Sequence, residues 1–222
     1  MTTLEFELVV LDMAGTTVID GGLVEGAFAR AWDRVRATET GRDQALEHVR
    51  ATMGQSKIEV FRELGDEESA QAVNVAFETA LSELVAEGRC EEVPGAEAAI
   101  RELRASGRKI AFTTGFSRVT ADGILASLGW SDLADVVLTP ADAGRGRPAP
   151  DLNLMALIRT GAGSVASMVT VGDTAFDAMS GCAAGAGLVV GVLTGASTAE
   201  SLLEAGADIV LASVADLPAV LS

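Results

Sequence analysis

The sequence has few of the residues that most often carry catalysis or covalent stabilisation. Its 222 residues include no tyrosine, a single histidine, two cysteines and two lysines. Cys90 and Cys182 have no metal-ligand spacing, so we interpret them as free thiols, which suits a reducing cytoplasm. His48 is expected on a helix surface rather than in a catalytic role. Because all other basic residues are arginine, Lys57 and Lys109 raise the question of whether an amine is needed there.

Positive charge and long apolar runs are scarce as well. Sixteen Lys and Arg residues stand against 32 Asp and Glu residues, a net charge of −16. Phosphate backbones and anionic membranes are bound by clustered Lys and Arg, so neither nucleic acid nor a membrane is an expected partner. No apolar run approaches the roughly 18 residues of a membrane helix, and the N-terminal segment does not resemble a signal peptide. We therefore expect a cytoplasmic protein with a small-molecule substrate.

Short apolar runs alternate with helical patterns after residue 92. Their Val, Ile and Leu content does not alternate with polar residues, which is typical of strands buried on both faces of a parallel sheet. Strands are predicted at 6–11, 109–113, 135–138, 167–171, 188–193 and 208–211. Helices are predicted at 96–105, 118–128, 151–160, 175–184 and 198–205. The alternation predicts an α/β fold with a doubly wound parallel sheet.

The segment between the first two strands interrupts this alternation. It contains no convincing strand, and helices are predicted at 27–37, 45–53, 58–64 and 67–87. Ligands bind doubly wound sheets at the carboxyl ends of the strands, so an insert leaving there would cover the site and exclude water. We predict an α/β core domain of residues 1–18 and 92–222 and an inserted all-helical cap domain of residues 19–91.

Three candidate functional motifs contain residues that can attack or bind an anionic substrate. Asp12 follows the first apolar run and is the candidate nucleophile. Thr113, Thr114 and Gly115 follow the second strand, where hydroxyls and free backbone N–H groups next to a helix N-terminus form an anion site. Arg147 can neutralise phosphate oxygens and the charge that develops on a transferred phosphoryl group.

A fourth motif, Gly-Asp-Thr-Ala-Phe-Asp, places Asp173 and Asp177 after another strand. Mg²⁺ binds few carboxylates and keeps several waters and substrate oxygens, so it is the expected cation. We predict that Asp12 and Asp173 bind Mg²⁺ directly and that Asp177 binds it directly or through water. The main-chain carbonyl of Ala14 can supply a further ligand.

Ala14 stands two positions after the candidate nucleophile. Hydrolases that form an aspartyl-phosphate usually have a second Asp at this spacing, which protonates a poor oxygen leaving group. Alanine cannot supply a proton. Either the chain has lost activity, or its leaving group departs by a route that needs no acid at this position.

The four motifs, in this order on four strand ends, resemble the haloacid dehalogenase superfamily, whose members attack a substrate with an Asp on a Rossmann-like core beneath a cap. Within it, three features resemble the phosphonatase-like hydrolases grouped with phosphonoacetaldehyde hydrolase. The first motif reads DxAGTT, Arg147 replaces the usual lysine, and the cap contains the segment Met53-Gly54-Gln55-Ser56-Lys57-Ile58. The resemblance implies a Schiff base between Lys57 and the substrate aldehyde, substrate contacts by Ala14, Gly15 and Met53, and a possible homodimer formed through the cap.

This chemistry accounts for Ala14, because breaking a C–P bond leaves no bridging oxygen to protonate. An iminium on Lys57 accepts the electrons instead, provided that a covered site and nearby cations lower the pKa of the amine. Val60 and Phe116 stand where the family has His and Tyr, so water or Glu59 would transfer protons. A phosphatase acting on a small organic phosphate ester is the alternative, and a non-catalytic binding protein or a dehalogenase is less favoured.

Overall fold

A six-stranded, all-parallel sheet forms the centre of the computed structural model, which describes residues 6–36 and 41–222. The strand order is β3-β2-β1-β4-β5-β6, so the direction of winding reverses between β1 and β4, the point where doubly wound sheets bind ligands. The predicted fold class is confirmed. The strands are β1 (Leu8–Asp12), β2 (Lys109–Thr113), β3 (Val136–Leu138), β4 (Met168–Gly172), β5 (Leu188–Val192) and β6 (Ile209–Leu211).

Four helices follow β1 along the chain and form the segment inserted before the rest of the sheet. They are α1 (Leu23–Val35), α2 (Arg42–Ala51), α3 (Lys57–Glu63) and α4 (Glu67–Ala86). Phe61 of α3 joins them, because its ring lies 6.0 Å from Phe28 of α1 and 5.4 Å from Phe77 of α4. The predicted end of the first helix at Ala37 lies outside the described residues. The division into a core and a cap domain stays a prediction.

The remaining helices cover the two faces of the sheet. They are α5 (Ala96–Ala105), α6 (Arg118–Leu128), α7 (Pro140–Ala143), α8 (Asp151–Thr160), α9 (Ala175–Ala184), α10 (Ala199–Glu204) and α11 (Leu217–Val220). The bounds of α5, α6, α8 and α9 agree with the sequence prediction. The four-residue helices α7 and α11 were not predicted, because one turn is too short to show helical periodicity.

One apolar cluster runs from the sheet into the inserted helices. It includes Val9 and Leu11 of β1, the three Phe rings described above, and Ile100 of α5. This shared cluster connects α1, α3 and α4 with the sheet. The first residue of α3, Lys57, lines the same cavity as Asp12 at the end of β1. Among the described residues, no helix combines the length and the hydropathy needed to cross a membrane.

Candidate active site

The carboxyl ends of β1 and β4 bring three buried carboxylates together. Asp12 is the last residue of β1, Asp173 directly follows β4, and Asp177 lies in the first turn of α9. Their exposed fractions are only 5%, 2% and 9%, and each offers a carboxylate oxygen within 4.8 Å of the others. Residues distant in sequence therefore meet where the sequence analysis placed a cation.

Arg147 is the positive partner of this cluster. Its Nη2 lies 2.5 Å from Oδ1 of Asp12 and its Nη1 lies 2.7 Å from Oδ1 of Asp177. Nη2 also donates to the hydroxyl of Thr113 at 3.2 Å. The guanidinium is itself buried. It therefore lies against the candidate nucleophile, where it can also meet the oxygens of a phosphoryl group.

Burial and mutual repulsion disfavour the ionised form of these carboxylates. Burial raises the pKa of Asp12 well above its usual value, although Arg147 opposes the shift. Burial, assisted by the charge of Asp177, raises the pKa of Asp173 to about 7. Three carboxylates and one guanidinium would leave two negative charges uncompensated when all are ionised. A divalent cation would balance them.

The donor set fits a hard divalent cation such as Mg²⁺, which prefers oxygen ligands. Asp12 and Asp173 each present a carboxylate to the same cavity, and Ala14 lines it as well. Within residues 6–36 and 41–222, no hydrogen bond is donated to the carbonyl oxygen of Ala14. Asp177 is already engaged, because Oδ2 accepts from the amide and hydroxyl of Thr174. This favours Asp177 as an indirect ligand.

Two loops fix Asp173: one belongs to the DxAGTT motif, and the other, with Gly195 and Ala196, was not singled out by the sequence analysis. The hydroxyl of Thr16 donates to Oδ1 at 3.0 Å, and the amide of Ala196 donates to Oδ2 at 3.0 Å. Gly15 and Gly195 pass so close that a Cβ on either would lie within 2.5 Å of a carboxylate oxygen. The signal that could have identified the second loop is a glycine just beyond the carboxyl end of β5.

Lys57 is the first residue of α3 and is buried, with an exposed fraction of 4%. Among the described residues, the structure shows no hydrogen bond or ion pair for its amine. Burial lowers the pKa of Lys57 to about 8; Asp20 opposes this shift and Arg147 supports it. The sequence analysis missed Asp20, because this residue belongs to no motif. Only the fold brings its negative charge near the Lys57 amine.

A narrow cavity of about 30 Å³ connects these groups. Its lining includes most of the predicted site residues, together with Phe116: Asp12, Ala14, Met53, Lys57, Thr114, Gly115, Arg147 and Asp173. Gly15, Thr113 and Asp177 do not line it. Gly15 lies behind Asp173, whereas Thr113 and Asp177 contact Arg147.

Glu59, the residue suggested for proton transfer, lies outside this cavity, as do Val60 and His48. Val60 is fully buried in the apolar cluster. Glu59 is exposed and pairs with Arg62 at 2.5 Å, so its carboxylate does not reach the cavity and the suggested role of Glu59 is not supported. His48 lies on α2 with Nε2 3.0 Å from a Glu63 carboxylate oxygen.

Comparison with known proteins identifies the class to which this site belongs. The sequence model of the haloacid dehalogenase-like hydrolases matches residues 6–185. The chain belongs to this family and is a hydrolase.

Relatives within the family are phosphonoacetaldehyde hydrolases. The Bacillus cereus enzyme is 30% identical over 87% of this chain and 78% of its own length. The bifunctional phosphonoacetaldehyde hydrolase/aminoethylphosphonate transaminase of Clostridioides difficile is 31% identical over 82% of this chain, which spans only 30% of that longer protein. The crystal structure of a phosphonoacetaldehyde hydrolase-like protein from Oleispira antarctica has a TM-score of 0.83 at 24% identity, covering 97% of this chain and 91% of that one. That similarity shows a shared fold.

Replacing Gly15 with alanine tests how the loop holds Asp173. The new Cβ would lie 2.5 Å from Oδ2 of Asp173, and φ at this position is +88°. We expect Gly15→Ala to lower the free energy of unfolding by about 3 kcal/mol and to weaken Mg²⁺ binding at least tenfold. Gly22→Ala is the matched control, because Gly22 also has positive φ (+77°) but no atom within 4 Å of the new Cβ. Urea unfolding and Mg²⁺ titration calorimetry provide the measurements, and equal effects of the two substitutions would contradict the clash.

Replacing Lys57 with methionine tests the burial of the amine. The pKa of Lys57 is about 8 in the folded protein, against 10.5 for an ordinary lysine. Below pH 8 the folded state therefore contains a buried charge, which lowers the free energy of unfolding by about 3 kcal/mol. The unfolded chain binds more protons between pH 8 and 10.5, so wild-type stability rises with pH across that window. We therefore expect Lys57→Met to be more stable than wild type at pH 7, with the difference shrinking towards pH 10.

The control for this substitution is Lys109→Met, since the Lys109 amine donates to the Gly161 carbonyl at 3.1 Å and the side chain is only half-buried. Denaturant unfolding at pH 7 and pH 10 measures both variants. A pH-independent effect of Lys57→Met would show that the amine is not buried as a charge.

Proposed function

We propose that the chain cleaves the C–P bond of a 2-oxoalkylphosphonate such as phosphonoacetaldehyde. The observation that carries the proposal is the shared cavity of Asp12 and Lys57, where Ala14 occupies the place of a leaving-group acid. A nucleophilic carboxylate and a buried amine of lowered pKa are the two groups that this reaction requires. The names of the relatives support the same substrate.

The first step is condensation of substrate with Lys57. The neutral amine attacks the carbonyl carbon, and loss of water leaves a protonated imine. Asp12 then attacks phosphorus, and the electron pair of the breaking C–P bond moves into a new C=C bond, which neutralises the nitrogen and forms an enamine. The leaving group is thus activated from the Lys57 side, so a proton donor at residue 14 is unnecessary.

Later steps return the site to its starting state. Water hydrolyses the aspartyl-phosphate on Asp12, and the enamine is protonated at carbon and hydrolysed to acetaldehyde. Arg147, together with Thr114 and the Gly115 amide, would hold the phosphoryl oxygens. Mg²⁺ bound by Asp12, Asp173 and the Ala14 carbonyl would supply charge neutralisation for the phosphoryl group. Phe116 contributes no proton, so water in the cavity is the proposed proton carrier for the imine steps.

Substrate entry requires the segment from Met53 to Lys57 to move away from the strand ends. The cavity that Asp12 and Lys57 share has a volume of only about 30 Å³, which is small for a phosphonate group. A groove of about 860 Å³ between α3 and residues 140–149 reaches Arg147 from outside and offers a route. The inserted helices would then act as a hinged cap. Association into a homodimer stays a prediction.

Borohydride trapping tests the Schiff base. With phosphonoacetaldehyde and borohydride, we expect the mass of the substrate carbon skeleton on the peptide containing Lys57, and no addition at Lys109, which serves as the internal control. Lys57→Arg keeps the charge but cannot form an imine, so it should lose at least 10³-fold in kcat for C–P cleavage. Full turnover by Lys57→Arg, or faster hydrolysis of small phosphate esters than of the phosphonate, would favour the phosphatase alternative.

The pH dependence of cleavage tests the charge environment of Lys57. The neutral amine predominates above its pKa of about 8, so kcat/KM should rise with pH and level off above that value. The charge of Asp20 raises this pKa, and therefore Asp20→Asn should move the inflection to lower pH. Asp33→Asn is the control, because Asp33 is an exposed residue paired with Arg42. An unchanged inflection in Asp20→Asn would remove Asp20 from the account.

A further inference from the structure

We infer that the substrate carries, on its carbonyl carbon, a substituent that ends in a hydrogen-bond donor and occupies a second cavity beside Lys57. This inference rests on the proposed function and narrows its substrate class. Phosphonoacetaldehyde has only hydrogen at that carbon and would leave the second cavity unfilled.

The second cavity has a volume of about 230 Å³ and adjoins the first. Both cavities are lined by Lys57, Gly115 and Phe116. The volume corresponds to roughly seven water molecules, enough for a substituent of several non-hydrogen atoms. The Lys57 side chain is therefore the boundary between a narrow space that leads to Asp12 and a wider one that leads away from it.

The geometry of an imine on Lys57 requires a separate space for each of the two substituents on the imine carbon. The carbon bonded to the Lys57 nitrogen is planar and has two further substituents on opposite sides of the C=N axis. When the methylene that carries phosphorus points towards Asp12, the other substituent must point away from it. The second cavity provides space in that direction, and the apolar ring of Phe116 forms a wall of both spaces.

The polar lining of the second cavity favours a donor. Asn74 and Glu78 lie one turn apart on α4, and both line it. Oε2 of Glu78 accepts hydrogen bonds from the hydroxyls of Ser117 and Thr120, so these donors are already used. Within the described ranges, Glu78 forms no ion pair. Arg118 also lines this cavity, but its guanidinium is already bound to Asp142 and to the carbonyl of Val137. The Glu78 carboxylate, which has no ion-pair partner there, therefore favours a hydroxyl or ammonium group over an anionic one.

An isosteric pair of ketones tests the inference. The substrates are 4-hydroxy-2-oxobutylphosphonate and 2-oxopentylphosphonate, which differ in a terminal hydroxyl against a methyl, with phosphonoacetaldehyde as a third. We expect the wild-type kcat/KM for the hydroxylated ketone to exceed that for the methyl ketone at least tenfold. Glu78→Gln should reduce this ratio several-fold, and Asn74→Phe, which fills the cavity, should lower kcat/KM for both ketones relative to phosphonoacetaldehyde.

Glu68→Gln is the control, because Glu68 is exposed on the same helix and should leave the ratio unchanged. Cleavage of phosphonoacetaldehyde without a preference between the two ketones, or a preference that both variants retain, would overturn the inference and leave the proposed function intact. Failure to cleave any of the three, with no adduct on Lys57 after borohydride treatment, would overturn both.

Discussion

The contact of one guanidinium with buried carboxylates is the interaction on which the rest of the site depends. Arg147 bridges Asp12 and Asp177, which come from β1 and α9, and also contacts Thr113 at the end of β2. Without a positive group, three desolvated carboxylates in one place would strongly favour protonation or separation of the chain segments. The same contact orients Asp12 at the end of a strand buried on both faces. The contacts of Arg147 therefore both stabilise the fold and position the nucleophile.

The inserted helices depend on close backbone approach as well as apolar packing. A Cβ at Gly54 would lie 2.5 Å from the Thr174 hydroxyl, and a Cβ at Gly115 would lie 2.8 Å from the Gln55 carbonyl. Only residues without side chains allow the segment before Lys57 to lie so close to the strand ends. That closeness removes water from around the amine, which is why its pKa is lowered mainly by burial. The lowered pKa of Lys57 is thus a consequence of having glycine at positions 54 and 115.

Sequence patterns predicted the sheet and the residues at its carboxyl edge, since buried parallel strands have a distinctive apolar composition and parallel strands end on the same side. Asp12 and Asp173 were expected to lie together for that reason, whereas Arg147 lies in the loop between α7 and α8 and was proposed from the chemistry of its side chain. Asp20 and the Ala196 amide were not found, because they act across long sequence separations and belong to no motif. Thr16 belongs to the DxAGTT motif, but its hydrogen bond to Asp173 joins residues 157 positions apart and is seen only in the fold. Glu59 was suggested by its nearness to Lys57 in sequence, but helix geometry turns it outwards to Arg62. Neighbours along a helix commonly face different surroundings.

The distribution of the two lysines has a practical consequence. Lys109 is the first residue of β2 and therefore lies at the amino ends of the strands, whereas the candidate site lies at their carboxyl ends. The side chain of Lys109 is partly exposed, and that of Lys57 is buried. Acylating reagents need an accessible, neutral amine, so in this structure Lys109 is open to modification and Lys57 is protected. A buried amine that deprotonates near neutral pH would nevertheless react quickly once uncovered. The rate of chemical labelling at Lys57 would therefore report how often the proposed cap movement exposes this side chain.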